Sequence, residues 1–109
     1  MAIINSYYAF QKATDAAVKE SGNTQGETLI IQVTSTASAF KLKFYGKVDF
    51  EAEDMYPINA VNLSSFDVLS EIKESGLYTI SIDGLALTKA ELSDVEGGEV
   101  TVFCRVKGG

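Results

Sequence analysis

The chain has 109 residues, 46% of them hydrophobic and 22% charged, which is one domain's worth of ordinary globular composition and excludes wholesale disorder. Fifteen acidic side chains against nine basic ones leave a net charge of −6, so phosphate backbones and anionic lipid are repelled, and neither nucleic acid nor a membrane is an expected partner. Histidine and tryptophan are absent and Cys104 is the only cysteine; this removes His-activated nucleophiles, most zinc sites and any intrachain disulfide.

The first residues, Met1-Ala2-Ile3-Ile4-Asn5, carry no basic segment ahead of an apolar one, so no signal peptide is expected. The Ala9–Glu20 stretch is alanine-rich, and its thin apolar stripe (Phe10, Ala13, Ala17) has helical spacing; strands are favoured there over an amphipathic helix. From residue 27 onward, period-2 alternation dominates. Leu29, Ile31 and Val33 face one way in Glu27–Thr34, with Thr28, Gln32 and Thr34 opposite. Ala39–Val48 points Phe40, Leu42, Phe44 and Val48 inward and Lys41, Lys43, Tyr45 and Lys47 outward. The short polar link between these two runs reads as a hairpin.

Residues 49–54 form an acidic connector. Met55–Val61 reads as a short strand that Pro57 confines to an edge. Asn62–Glu74 fits either a helical turn or a loop with a short strand. Leu77–Asp83 alternates cleanly, with Tyr78, Ile80 and Ile82 inward, and Asp83-Gly84 marks a turn. Leu85–Leu92 reads as a strand, although Thr88-Lys89-Ala90-Glu91 also matches a helical capping box. Gly97-Gly98 is a tight turn, and Glu99–Lys107 places Val100, Val102, Cys104 and Val106 on the core face. Short alternating strands between regularly spaced turns predict an all-β, antiparallel β-sandwich of jelly-roll or immunoglobulin-like type, with about seven to nine strands. The whole of 1–109 reads as one domain with a frayed 108–109 tail.

No catalytic constellation emerges. Cys104 lies on an apolar face with no histidine to activate it, and no Gly-x-Ser-x-Gly or phosphate-loop motif occurs. Asp49, Glu51, Glu53 and Asp54 are the best candidates for a calcium loop. Their spacing departs from the EF-hand and lacks its glycine, which favours a solvated loop. No metal or cofactor is expected. The row Lys41, Lys43, Lys47 with Tyr45 between them is a stripe for an anionic partner, a match for an acidic patch on a neighbouring subunit, or an ordinary solvent-facing edge. Ile30, Leu77 and Phe103 are apolar at outward positions, and together they would make a protein interface. Tyr45, Phe103, Lys41 and Lys43 are the candidate contact residues. Tyr7, Tyr8, Tyr45, Tyr56 and Tyr78 are the available stacking rings.

The segment order is more specific. Phe40-Lys-Leu-Lys-Phe-Tyr-Gly-Lys-Val-Asp49 precedes Met55-Tyr-Pro-Ile58. Then come Ser75-Gly-Leu-Tyr-Thr-Ile-Ser-Ile-Asp-Gly-Leu85 and Gly97-Gly-Glu-Val-Thr-Val-Phe103. Over residues 27–107 this resembles the small β-sandwich virion accessory proteins of tailed bacteriophages and prophages. Where that pattern often continues Asp-Gly after the first long strand, this chain has Asp49-Phe50 and a longer acidic loop. The resemblance implies a non-enzymatic virion structural protein, of capsid-decoration, head-fibre or neck and tail type, made in the bacterial cytoplasm and placed in the virion. It implies contacts with other virion proteins and with copies of itself. The competing readings are a monomeric binding module for carbohydrate or a receptor, and a small acidic inhibitor.

Overall fold

The computed structural model describes residues 4–22 and 26–108. Residues 1–3 and Gly109, on which the leader and tail expectations partly rest, lie outside the described residues. Ten strands run in chain order: β1 Ile4–Ala13, β2 Ala17–Gly22, β3 Thr28–Ser35, β4 Ala39–Lys47, β5 Tyr56–Ile58, β6 Ala60–Asn62, β7 Val68–Leu69, β8 Gly76–Ser81, β9 Leu87–Glu96 and β10 Val100–Lys107. They form a six-stranded sheet, β1-β10-β3-β8-β6-β7, and a four-stranded sheet, β2-β9-β4-β5. The predicted antiparallel sandwich is correct, with ten strands rather than seven to nine; the extra ones are the two- and three-residue pieces β5, β6 and β7.

Between the sheets lies one apolar core. Leu29, Ile31 and Val33 of β3 and Val100, Val102 and Cys104 of β10 meet Phe40, Leu42 and Phe44 of β4 and Leu92 of β9. Alternation dictates this: each strand turns every second side chain inward, and burying each large apolar side chain is worth roughly 1.5–3 kcal/mol. Tyr78 places its ring in the core and donates its hydroxyl to the Glu74 carbonyl at 2.8 Å.

Two expectations from the sequence fail. β3 and β4 are not a hairpin. β3 pairs with β10 and β8, and β4 with β9 and β5, so the 36–38 link crosses between sheets. Both strands have a fully apolar inner face, and pairing side by side would leave the second sheet without its share of that core. Val48, expected inward, is exposed, because β4 ends at Lys47 and Gly46 takes the last inward position.

Two ambiguous segments resolve as the strands β1, β2 and β9, and Asn62–Glu74 is a loop carrying the two-residue strand β7. β1 carries register shifts between Tyr8 and Phe10 and between Phe10 and Ala13. These bulges convert a spacing of two into a spacing of three, which is why Phe10, Ala13 and Ala17 mimic a helical stripe while all packing on the core. Lys12, in the second bulge, has a φ of +51° and donates its backbone N–H to Thr101 Oγ1 at 3.1 Å. In β9, Thr88, Ala90 and Leu92 alternate inward, so packing overrides the capping-box pattern. Pro57 lies in the edge strand β5 as expected. Below β5, the same edge of β4 is closed by Ile72, which exchanges two backbone hydrogen bonds with Leu42 at 2.8 and 2.9 Å.

Candidate interface

The four candidate contact residues fall on opposite faces. Lys41, Lys43 and Tyr45 project from β4 on the outer face of the four-stranded sheet. Phe103 projects from β10 on the outer face of the six-stranded sheet. No single partner surface contains all four.

The lysine row is compensated within the chain. Lys41 Nζ lies 3.4 Å from Asp94 Oδ2, and Lys43 stands opposite Glu91 in register. Lys89 Nζ sits 4.7 Å from the centre of the Tyr45 ring. Lys47 turns toward the acidic loop, where Nζ donates to the Phe50 and Ala52 carbonyls at 3.1 and 2.9 Å. Such exposed pairs contribute little, ~0–1 kcal/mol each, but they leave no concentrated positive stripe for an anion.

The other face differs in chemistry. Register across the six-stranded sheet sets Tyr8 beside Phe103, Phe103 beside Gln32 and Gln32 beside Leu77. The next row sets Arg105 beside Ile30, Ile30 beside Thr79, Thr79 beside Val61 and Val61 beside Val68. Ile30 is the diagonal neighbour of both Phe103 and Leu77, within reach of large side chains. Tyr8 and Phe103 pack edge to face, with ring centres 4.8 Å apart and planes at 66°. Tyr8 remains 49% exposed and Leu77 46%. A shallow hollow of about 370 Å³ opens between Tyr8, Phe103, Gln32, Thr34 and Thr101. The outward positions of β10, β3 and β8 hold no carboxylate. In a chain of net charge −6, this leaves the outer side of these three adjacent strands with an aromatic and aliphatic stripe and no negative charge of its own.

Ile30, Leu77 and Phe103 are thus gathered on one sheet, as their broken alternation suggested. Tyr8 was missed as a member of this patch. Its outward position follows from the β1 bulge one residue later, a feature that hydrophobic alternation does not encode.

The interior offers no activated group of the kind acyl transfer uses. Cys104 is fully buried, and burial pushes its thiol up to about 12, against a smaller opposing effect of a hydrogen bond with Tyr7. The Tyr7 hydroxyl is likewise pushed up to about 12, chiefly by burial and secondarily by Cys104. Both stay protonated at neutral pH. Among the described residues, no three His, Cys, Asp or Glu side chains converge as a metal set, and Asp49, Glu51, Glu53 and Asp54 lie spread along an exposed loop.

Comparison with known proteins decides the relationship. The sequence model of the XepA family matches residues 7–106. The chain belongs to the XepA family. Two solved structures share its fold. The SPBc2 prophage-derived protein YomS superposes with a TM-score of 0.88 at 21% identity, covering 99% of this chain and 96% of that one. The PBSX exported protein XepA superposes with a TM-score of 0.91 at 18% identity, covering 98% of this chain but 38% of that one. The chain therefore spans well under half the length of that XepA structure and nearly the whole of YomS. A search of curated proteins found no match. At these identities, the two structures establish the sandwich, and the family match establishes relationship to a phage-derived protein family.

Proposed function

We propose that this chain is a non-enzymatic structural or accessory component of a phage particle, working through protein–protein contacts that include copies of itself. The observation that carries this reading is the carboxylate-free apolar stripe Tyr8–Phe103–Ile30–Leu77 on the outer face of the six-stranded sheet. Exposed contiguous apolar surface on an otherwise charged chain marks an interaction site. A stripe without its own negative charge lets two acidic chains approach at little electrostatic cost. A small repeated patch of this kind suits closed symmetric assembly, in which one surface is reused many times. Membership of the XepA family and the prophage origin of YomS support the phage setting. The buried, protonated Cys104 and the absence of histidine support a role without covalent catalysis.

Purified, protease-washed phage particles examined by mass spectrometry test the location. The chain is expected in the particle fraction at a fixed ratio to the capsid protein. Recovery only in the soluble lysate would overturn the virion reading and favour a free inhibitor.

A further inference from the structure

A second surface lies away from the stripe, where β4, β5 and the β8–β9 link meet at the end of the four-stranded sheet. There a cavity of about 340 Å³ opens beneath the acidic loop. Its floor is formed by Ile58 and Leu85, which fill the space over Gly46 so closely that a Cβ there would come within 2.7 Å of Ile58 Cδ1 and 2.8 Å of Leu85 Cδ1. Ala52, Tyr56 and Pro57 add apolar walls. Around the mouth, Val48 is 73% exposed, Phe50 61% and Tyr56 69%. The volume is at the small end of the ~300–1,000 Å³ range of ligand pockets and suits one large side chain rather than an extended cofactor.

The adjoining acidic loop sets the partner's charge. Asp49, Glu51, Glu53 and Asp54 are all exposed, and none has an ion-pair partner among the described residues. Asp49 is committed to the loop itself, accepting the Glu51 N–H at 2.9 Å. The one lysine at the mouth, Lys47, spends its ammonium on the Phe50 and Ala52 carbonyls. An apolar hollow with the Asp54 carboxylate in its wall, built in part by a loop that carries three more exposed carboxylates and adjoins one lysine, complements an apolar side chain flanked by cations, and the same carboxylates repel anionic lipid.

We infer that this mouth docks a basic segment of a partner protein, packing one Phe- or Leu-sized side chain against Ile58 and Leu85 while flanking Lys or Arg residues meet the 49–54 loop.

Amide NMR titration of the full chain tests it with three synthetic peptides: Gly-Lys-Lys-Phe-Lys-Lys-Gly, the same with Ser for Phe, and the same with Glu for every Lys. The Phe peptide is expected to shift the amides of Gly46, Ile58 and Leu85 saturably. The Ser peptide should bind about tenfold more weakly, and the Glu peptide should not bind. Binding should weaken about tenfold in the surface variant Glu53→Gln with Asp54→Asn, and also as salt rises from ~0.01 to ~1 M. Unmoved amides, equal shifts from the Phe and Ser peptides, or an unaffected charge variant would overturn the inference. So would saturation by calcium alone without a peptide effect, or binding of phosphatidylcholine vesicles in the peptide's place.

Discussion

Cys104 and Tyr7 share one buried contact near the β1–β10 pairing, and both hold their protons more tightly than free side chains do. Unfolding lets the thiol ionise from its ordinary 9.0 and the phenol from 10.0, whereas the folded chain keeps both neutral to about 12. Stability from this pair is complete below pH 9.0 and is lost as pH climbs toward about 12, because the unfolded state releases protons first. Urea midpoints measured across that range are expected to fall with rising pH, and to fall less steeply in Cys104→Ala and Tyr7→Phe. An unchanged slope in both variants would remove the pair as the cause. Lys47 acts at the same scale. Its two carbonyl contacts tie down the 48–55 loop, so Lys47→Met should cost about 1 kcal/mol and speed hydrogen exchange at Ala52, whose N–H bonds the Asp49 carbonyl.

At the scale of elements, alternation in β3, β4, β8 and β10 identified the strands and most core residues, because one buried face imposes a period of two. What it left open has specific physical causes. Bulges in β1 disguise a strand as a helix, since an extra residue shifts the inward face. Which sheet a strand joins depends on the links rather than on the strands. The clearest case is the β3–β4 link, where Glu99 N–H bonds Thr36 Oγ1 and Thr36 N–H bonds the Glu99 carbonyl. There Gly98 lies so close to the Thr36–Ala37 backbone that a Cβ would stand 2.6 Å from it. Gly98→Ala should therefore destabilise the fold by about 1–3 kcal/mol in denaturant melts, while Gly22→Ala, which meets nothing within 4 Å, should stay near wild type. For the candidate interface, the sequence showed the outward apolar residues singly. Their grouping needed the register across β10, β3 and β8, and the separation of Phe103 from Tyr45, Lys41 and Lys43 needed the assignment of strands to sheets.

Across the whole molecule, charge and apolar surface are segregated. The four-stranded sheet's outer face carries its lysines matched to Asp94, Glu91 and Tyr45, and the acidic loop lies at one end of that sheet. The six-stranded sheet's outer face keeps the stripe and no carboxylate on β10, β3 or β8. We propose that this stripe joins copies of the chain. Leu77→Glu places a charge on an exposed residue of the stripe without touching the core. Native mass by size-exclusion chromatography with light scattering, over a range of concentrations, compares this variant with the wild type. A closed oligomer is expected for the wild type, and smaller species for a still-folded Leu77→Glu. A wild-type monomer at every concentration, or an oligomer indifferent to the substitution, would contradict it.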